Sequence, residues 1–348
     1  MGDNDQYTVG WIAPLPLELT AATAALEERY ADFYHDQYKY RKGRIGKHYI
    51  VIAVQARMGT NDAAALATRM KSVFRRIKFF LVVGIAGGIP RYGPSGDKRE
   101  MVLGDIVVSR PRGAHGGIVL SGSGAWLDVA SDHKAELNIQ GHCNAPPPEL
   151  LQAVNDLESE HDSRESQIPV ILKELRENLL PKMRTKFMDP GPDEDRSFHS
   201  EYLHADEDGD DLDCVDCCDL THSQLRKYRG PQAIRKLDNP HIHYGNIASS
   251  NQLQISASLR EKMHKEHNVI AFEMEGAGVI QNYNCLVIRG ICDYSDSHKN
   301  KQWQRYAAAV AAAYARELLA TMDPETSSDI SERPRGKFVH EYFRRECI

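Results

Sequence analysis

Four short clusters in this chain combine chemically useful residue types with a position at the end of a predicted strand. They are Glu18, the glycine-rich segment 84–90, the run Glu273-Met274-Glu275, and Asp293. In open parallel sheets, ligands bind beyond the carboxyl ends of the strands. Carboxylates placed there can accept hydrogen bonds from a ligand or exchange protons with it. Because strand ends are polar in most proteins, position alone does not identify a site.

The elements that must position these clusters alternate between strands and helices. Short apolar strands are predicted at 7–12, 47–56, 79–84 and 101–109, and later within HIHYGNIASSNQL and NCLVIRGICDYSD. Apolar residues recur at three- and four-residue steps over 61–77, which predicts an amphipathic helix. Alanine-rich 301–322 is predicted to be the last helix. The chain is therefore predicted to be α/β, a single domain with a central twisted mixed or parallel sheet flanked by helices.

One catalytic domain is predicted over residues 1–322, with a long insertion at approximately 126–240. Within the insertion, residues 185–232 are too polar and too interrupted for a core. They are predicted to form a loop or a partly disordered excursion. Residues 323–348 are predicted to be a peripheral C-terminal tail.

Charge and composition restrict the partners and the compartment. A net charge of -6 gives no general attraction to nucleic acid or to an anionic membrane. No secretory leader is recognised, and the apolar runs are too short to cross a bilayer. Seven cysteines in a chain of this size do not indicate a disulfide framework. A reducing compartment is expected, and the protein is predicted to be cytoplasmic.

One cysteine-rich cluster raises the question of a metal. Cys214, Cys217 and Cys218 lie in an acidic segment, with His204 and His222 on either side. Cysteine and histidine are zinc ligands, but only one Cys-x-x-Cys occurs, without the paired arrangement typical of zinc sites. We interpret the cluster as reduced thiols in an acidic loop, and no metal or cofactor is predicted. The alternative is a metal with a structural role.

Several motifs together resemble the purine nucleoside phosphorylase/uridine phosphorylase superfamily. They are VGWIAPLPLEL, GIAGGIP, LGDIVVS, GNIASSNQ, AFEMEGAG and VIRGICDYSDSHKNKQWQRYAAAVAAAYARELL. The resemblance covers roughly residues 7–125 and 240–322, in the family's order. It is greatest to fungal proteins in which such a domain stands alone or precedes a nucleotide-binding oligomerisation module and repeats. It implies the nucleoside phosphorylase fold and a homo-oligomer.

The resemblance also implies roles for single residues. Glu275 matches the carboxylate that holds the two ribose hydroxyls, as an ionised acceptor can. Met274 matches the methionine that packs beneath the ribose. Asp293 matches the acid that protonates or hydrogen-bonds purine N7, which makes the base a better leaving group. Arg289, four residues earlier, is expected to orient the Asp293 loop.

Glu18 separates two reactions within this superfamily. In the nucleosidase branch a glutamate at this position activates water for attack on C1′, whereas phosphorylases use arginines to bind phosphate. No arginine occurs among residues 14–17, and Val83 precedes Gly84 where an arginine would be expected. A phosphate dianion without such partners would be poorly held. Hydrolysis is therefore favoured, with Arg57 as the residue that could restore a phosphate site.

The remaining candidates each have a structural and a functional interpretation. Glu273 is either structural or substrate-binding. Gly87 and Gly88 are either turn glycines with positive φ or points of close ligand approach. Asn251 belongs to a loop expected near the base.

Two lysines beyond Asp293 complete the set of candidates. Lys299 and Lys301 lie either in a solvated loop or in a cationic rim that contacts a 5′-phosphate chain.

The predicted function is a purine N-glycosidase that hydrolyses adenosine-like nucleosides to the base and ribose. Three alternatives stay open: a nucleosidase acting on AMP, ATP or dATP as an immune-type effector, a phosphate-dependent phosphorylase, and a non-catalytic sensing or oligomerisation module. The predicted partner is a small-molecule purine nucleoside or nucleotide. Adenine and guanine are not distinguished.

Overall fold

The structure is a computed structural model that describes residues 3–94, 98–121, 124–128, 135–139, 143–205, 214–299 and 301–323. The strands of the described residues are β1 (Val9–Ala13), β2 (Glu28–Arg29), β3 (Phe33–His35), β4 (Tyr38–Ile45), β5 (His48–Val54), β6 (Phe79–Gly88), β7 (Arg91–Tyr92), β8 (Arg99–Glu100), β9 (Ile106–Ser109), β10 (Ile118–Leu120), β11 (Gly124–Asp128), β12 (Ala135–Ile139), β13 (Arg196–Phe198), β14 (Ser223–Leu225), β15 (Ile242–Ser249), β16 (Val269–Glu273) and β17 (Cys285–Asp293). The α-helices of the described residues are α1 (Pro16–Ala24), α2 (Thr60–Val73), α3 (Pro148–Ser163), α4 (Ile168–Glu177), α5 (Pro181–Arg184), α6 (Cys214–Cys217), α7 (Ala257–His267), α8 (Gly276–Ile280) and α9 (Gln304–Thr321).

A mixed sheet forms the centre of the fold. Its strands follow the order β10-β15-β9-β17-β6-β1-β5-β4-β2, with β16 pairing with β15 and β6, and β3 pairing with β4. β6 runs parallel to β1 and β17, whereas β17 and β9 are antiparallel. β6 is a continuous apolar run and β17 is apolar apart from Arg289 and Asp293, as expected of strands whose two faces are covered. The predicted α/β fold with a central mixed sheet is confirmed.

Helix α9 forms much of the cover over this sheet. Residues 306–315 are all buried, because the helix packs against β17, β6, α1 and α4. The helix was predicted over 301–322, but Lys301–Trp303 form a 3₁₀ turn before it. Helices α3 and α4 lie within the predicted insertion, yet both pack against α9 and so belong to the main body of the fold.

The glycine-rich segment 84–90 is not a turn, contrary to the prediction. β6 continues through it to Gly88, because β17 pairs along one side and β16 pairs with Gly87 and Gly88 on the other. Neither Gly87 nor Gly88 has a positive φ angle. The requirement for glycine here is therefore space for neighbouring side chains and not backbone conformation.

The excursion 185–232 is better packed than predicted over the residues that the structure describes. β13 and β14 form an antiparallel pair, and Asp195, Arg226 and Arg229 are buried. The Asp195 carboxylate accepts hydrogen bonds from Arg229 at 2.9 Å and from the Tyr294 hydroxyl at 2.7 Å. The prediction took charge as a sign of exposure, whereas these buried charges are paired with one another.

Two predicted features fall on residues that the structure does not describe. Residues 206–213 of the acidic run and 324–348 of the predicted tail lie outside the described ranges. Among the helices that are described, none combines the length and apolar character needed to cross a bilayer.

Candidate active site

One buried guanidinium gathers three carboxylates near the carboxyl ends of the central strands. Arg289, in β17, is 1% exposed and donates to Glu273 and, at 2.9 Å, to Glu275. The third carboxylate, Glu18, lies 4.0 Å from the same guanidinium. Glu273 ends β16, Glu275 precedes α8 and Glu18 lies in the first turn of α1. Two regions that are distant in sequence, the start of α1 and the junction of β16 with α8, therefore meet at one cation.

Arg289 was expected to orient the Asp293 loop, and the structure gives it other partners. Besides the carboxylates, its Nη1 donates to the carbonyl oxygen of Ile85 at 3.2 Å. Arg289 therefore orders the carboxylates of the site and the adjoining part of β6.

Glu18 is held from two sides although it is almost completely buried. Its carboxylate accepts hydrogen bonds from the backbone N–H of Leu15, which caps α1, and from the N–H of Ile85 at 2.7 Å. Burial raises the pKa of Glu18 to about 8, with Arg289 and the Ile85 N–H opposing the rise and the charge of Glu275 adding to it. A carboxyl group of this pKa can exchange a proton with a ligand near neutral pH.

Gly84 makes room for this arrangement. A Cβ atom at this position would collide with the Glu18 carboxylate and would lie 2.7 Å from Nη1 of Arg289. Any residue larger than glycine at position 84 would displace the Glu18 carboxylate from the Arg289 guanidinium.

Glu275 is oriented by residues that the sequence analysis did not identify. Its Oε1 accepts hydrogen bonds from Gln55 at 3.1 Å and from the backbone N–H of Gly59 at 3.2 Å. Burial raises the pKa of Glu275, Arg289 opposes the rise, and the charge of Glu273 adds to it. Gln55 is 220 positions away in the chain, and no spacing signal connects the two.

Asn251 and Glu273 serve this part of the site indirectly. Asn251 Oδ1 accepts hydrogen bonds from the N–H of Thr60 at 2.8 Å and from its hydroxyl at 3.0 Å. This caps α2 and fixes the turn whose Gly59 N–H contacts Glu275. Glu273 accepts from the N–H groups of Glu275 and Gly276, each at 2.9 Å. Both residues therefore position the Glu275 region from within the protein.

Asp293 ends β17 and pairs with a lysine. Its Oδ1 accepts a hydrogen bond from the N–H of Ser295 at 2.9 Å and lies 2.8 Å from the ammonium of Lys299. Burial acts to lower the pKa of Lys299, but the charge of Asp293 outweighs it and raises that pKa. Lys299, a candidate phosphate contact, thus has a carboxylate as its partner.

Gly87 and Gly88 have different neighbours. A Cβ atom on Gly87 would meet Ser295 Oγ and would lie 2.6 Å from Asp293 Oδ1. A Cβ atom on Gly88 would instead meet Met101 and Ile291 in the apolar core. Gly87 therefore borders the site, whereas Gly88 does not face it.

The Glu18 group and Asp293 lie beside different residues of β6. Gly84 contacts the Glu18 group, and Gly87 contacts Asp293. Three residues of extended strand span roughly 10 Å. The site thus has two parts beside β6, an acidic cluster near Gly84 and a carboxylate–ammonium pair near Gly87.

The other predicted residues lie farther out. Met274, between the two glutamates, is half-buried. Arg57 is 84% exposed, and its Nε lies 3.5 Å from Asp62. Lys301 is exposed in the 3₁₀ turn before α9.

An aromatic stack near the Asp293 loop was not predicted. The rings of Phe198 and His298 are parallel, with centroids 3.8 Å apart, and Tyr202 stacks at 5.7 Å from the same histidine. His298 is 7% exposed. The stack joins the excursion to the loop after β17, and the residues are too distant in sequence for a motif to reveal it.

A cavity of about 660 Å³ lies elsewhere on the molecule. Its lining includes Glu158, His161 and Tyr244 and none of the acids described above. The chemistry of the carboxylate cluster, and not cavity size, therefore identifies the site.

Comparison with solved structures identifies the fold. No family model matches the chain. Futalosine hydrolase of Helicobacter pylori superposes with a TM-score of 0.54 at 14% identity, covering 91% of this chain and 99% of that one. S-adenosylhomocysteine nucleosidase of Streptococcus pyogenes, in complex with 5-methylthiotubericidin, has a TM-score of 0.54 at 15% identity and covers 92% and 100%. The chain has the fold of the purine nucleoside phosphorylase/uridine phosphorylase superfamily, as the motifs implied.

Two relatives by sequence share parts of this chain. A nucleotide-binding leucine-rich repeat (NLR)-like protein of Hyaloscypha variabilis is 38% identical over 325 residues, which are 92% of this chain and 30% of that protein. A 5'-methylthioadenosine/S-adenosylhomocysteine nucleosidase of Mycobacterium bovis is 34% identical over 85 residues, 23% of this chain and 33% of that protein. The chain spans about a third of the length of these curated relatives.

Proposed function

We propose that the chain is a purine nucleosidase that uses water to cut the N-glycosidic bond of an adenosine-like nucleoside. The observation that carries the proposal is the buried Glu18 carboxyl group, with a pKa of about 8, beside a second carboxylate, Glu275, that Arg289 orders. The fold shared with nucleosidases supports the same reaction class.

In the proposed reaction, each carboxyl group has a separate task. Glu275 accepts hydrogen bonds from the ribose hydroxyls and holds the sugar. Glu18 takes a proton from a water molecule, whose oxygen forms the new bond to C1′. The bond between C1′ and the purine breaks, and its electron pair leaves with the base. The negative cluster stabilises the positive charge that develops on the sugar.

The other end of the site suits the departing base. Negative charge develops on the purine as it leaves, and N7 takes a proton from the carboxyl group of Asp293. With the sugar at the Glu18 group, Asp293, which adjoins Gly87 three residues farther along β6, is the acid proposed to reach N7. The Lys299 ammonium, 2.8 Å from that carboxylate, supplies positive charge near the leaving group.

Hydrolysis is proposed over phosphorolysis because of the charges around Glu18. A bound phosphate dianion needs cationic partners. Residues 14–17 and Val83 provide none, and Arg57 is directed to Asp62 at the surface. The cation nearest to Glu18 among its measured contacts, Arg289, is already engaged by Glu273 and Glu275.

The test is product chromatography with a panel of purine nucleosides, with and without phosphate. We expect free base and ribose without phosphate, and Glu18→Gln should lower turnover by about 10²–10⁴-fold. Glu149→Gln is a matched control, because Glu149 is also an acid in the first turn of a helix but lies outside the site. Ribose 1-phosphate formed only with phosphate would assign a phosphorylase, and no base release at all would favour a non-catalytic module.

A second candidate substrate is a nucleotide such as AMP, ATP or dATP. The similarity to part of an NLR-like protein favours it, because nucleotide depletion would suit an immune-type effector. Lys301, exposed in the 3₁₀ turn before α9, is the candidate contact for the phosphate chain. Comparing ATP with adenosine at equal concentration decides between the substrates, and cleavage of adenosine alone removes the nucleotide.

A further inference from the structure

We propose that His204, Cys214, Cys217 and Cys218 bind one zinc ion, which fastens the excursion to the loop that follows Asp293. The inference does not depend on the reaction proposed above, because none of these four residues belongs to the carboxylate cluster. The sequence alone favoured reduced thiols, since it shows a single Cys-x-x-Cys. The structure adds that one of the two flanking histidines, His204, has its ring nitrogen beside the sulfur of Cys217.

Three of the donor atoms lie close enough together to share one ion. His204 Nε2, Cys217 Sγ and Cys218 Sγ all lie within 4.8 Å of one another. Cys217 Sγ is 3.4 Å from His204 Nε2 and 3.7 Å from Cys218 Sγ. With zinc–ligand bonds of about 2.3 Å to sulfur and 2.05 Å to nitrogen, a tetrahedral site has a sulfur–nitrogen edge of about 3.6 Å and a sulfur–sulfur edge of about 3.8 Å. One ion therefore fits among these atoms with little movement.

Cys214 is the fourth donor. It begins the single turn α6 that ends at Cys217, and its thiol is hydrogen-bonded to that of Cys218. We assign it as the fourth donor, which would turn toward the other three as the ion binds. His222, which the sequence also suggested, is directed elsewhere, because its ring stacks on Tyr202 with centroids 4.6 Å apart.

The chemistry of the four donors selects zinc among common divalent ions. Three thiolates and one imidazole are soft and borderline ligands, which suit zinc, whereas calcium and magnesium prefer oxygen. Four protein ligands leave no open position for water, so the site would be structural. In a reducing compartment, thiols this close are kept available for a metal and are not consumed in disulfides.

The position of the cluster explains what the ion would hold together. The N–H of His204 donates to Ser297 Oγ at 3.0 Å, and its ring lies 5.6 Å from that of His298. Both partners belong to the loop that carries Lys299, the residue paired with Asp293. The cysteines lead directly into β14. A bound ion would therefore link two chain segments of the excursion beside the base end of the candidate active site.

The test is the metal content of the full chain, produced in zinc-supplemented medium and purified under reducing conditions without chelator. We expect about one zinc per chain by mass spectrometry. Cys217→Ser and His204→Asn should each lower the content at least fivefold. Cys143→Ala is the matched control, because Cys143 is buried outside the cluster and its variant should keep the ion.

Cobalt substitution keeps the test informative if a variant folds poorly. The wild-type chain should bind one Co²⁺ with thiolate-to-metal charge-transfer absorption, and zinc should displace it. His204→Cys retains four donors, so it should bind zinc and strengthen that absorption. A wild-type chain that holds no zinc and takes up no cobalt overturns the proposal. Equal zinc content in Cys217→Ser and Cys143→Ala would also overturn it. A disulfide among the three cysteines in protein purified under reducing conditions would do the same.

Discussion

The carboxylate of Glu18 lies 4.0 Å from the guanidinium of Arg289, and both side chains are almost completely buried. The same guanidinium already serves Glu273 and Glu275. Three ionised carboxylates around one cation would leave an excess of negative charge in a dry space, which is costly. Glu18, whose pKa is about 8, is the member that retains a proton near neutral pH. Its proton should therefore control both activity and stability.

Activity should rise with pH as Glu18 loses its proton. If Glu18 is the base that activates water, only its ionised form is active, and its pKa is about 8. We expect kcat/KM for a purine nucleoside to increase by up to about tenfold per pH unit below that pH and to level off above it. The residual activity of Glu18→Gln should lack this rise. A wild-type profile that falls from pH 6 to pH 8 would exclude Glu18 as the base.

Stability should change with pH in the opposite sense. Because the folded state raises the pKa of Glu18 from 4.5 to about 8, it binds this proton more tightly than the unfolded chain does. The contribution of Glu18 to stability is therefore largest at low pH and is lost as pH rises across that window. Glu18→Gln cannot ionise. As pH rises across that window, its free energy of unfolding should therefore increase relative to that of the wild type by up to about 5 kcal/mol.

Urea unfolding of both proteins at pH 5.5 and pH 8.5 should capture about 3 kcal/mol of this difference. Glu149→Gln, in the first turn of α3, should show no comparable change between the two pH values. If the free energies of unfolding of Glu18→Gln and the wild type differ by the same amount at both pH values, the fold does not change the pKa of Glu18.

Replacing Glu275 should remove discrimination at the sugar. If its carboxylate accepts hydrogen bonds from the ribose hydroxyls, each bond to a charged group contributes about 1.5–3 kcal/mol. The wild type should then prefer adenosine to 2′-deoxyadenosine by about tenfold or more, and Glu275→Gln should reduce that ratio. The measurement is kcat/KM for both nucleosides with both proteins. An unchanged ratio with lower overall activity would indicate that Glu275 only positions Arg289.

Asp293 should act on purine N7. Asp293→Asn should lower kcat/KM for adenosine by about 10²–10⁴-fold, the contribution expected of a general acid. A 7-deaza nucleoside lacks the proton acceptor, so the wild type and the variant should cleave it equally slowly. A large effect of Asp293→Asn on the 7-deaza compound would assign Asp293 to the structure of its loop instead.

The sequence predicts well those features that depend on local pattern. Alternating strands and helices predicted the mixed α/β fold, and the runs ending at Glu275 and Asp293 placed both acids at strand ends, where the structure has them. Glycines gave an ambiguous signal. The glycines in 84–90 suggested a turn, but β6 continues through them to Gly88 because it pairs with β16 and β17 there. Such a strand needs glycine only where side chains of other elements occupy the space beside its backbone.

Long-range pairings could not be read from the sequence. Gln55 and Gly59 contact Glu275 across the fold, and no local pattern marks them. Charge in the excursion was misleading for a related reason. Asp195 and Arg229 belong to a stretch whose polar composition predicted a loop, whereas their pairing makes the burial of both favourable.

The buried Asp195 has a consequence for how proteins of this shape could diversify. Its bond to the hydroxyl of Tyr294, the residue after Asp293, ties the excursion to the loop that follows β17. Changes in the excursion can therefore alter the surroundings of Asp293 while the sheet stays constant. Selection for new ligands could act on this one appendage and leave the carboxylate cluster untouched.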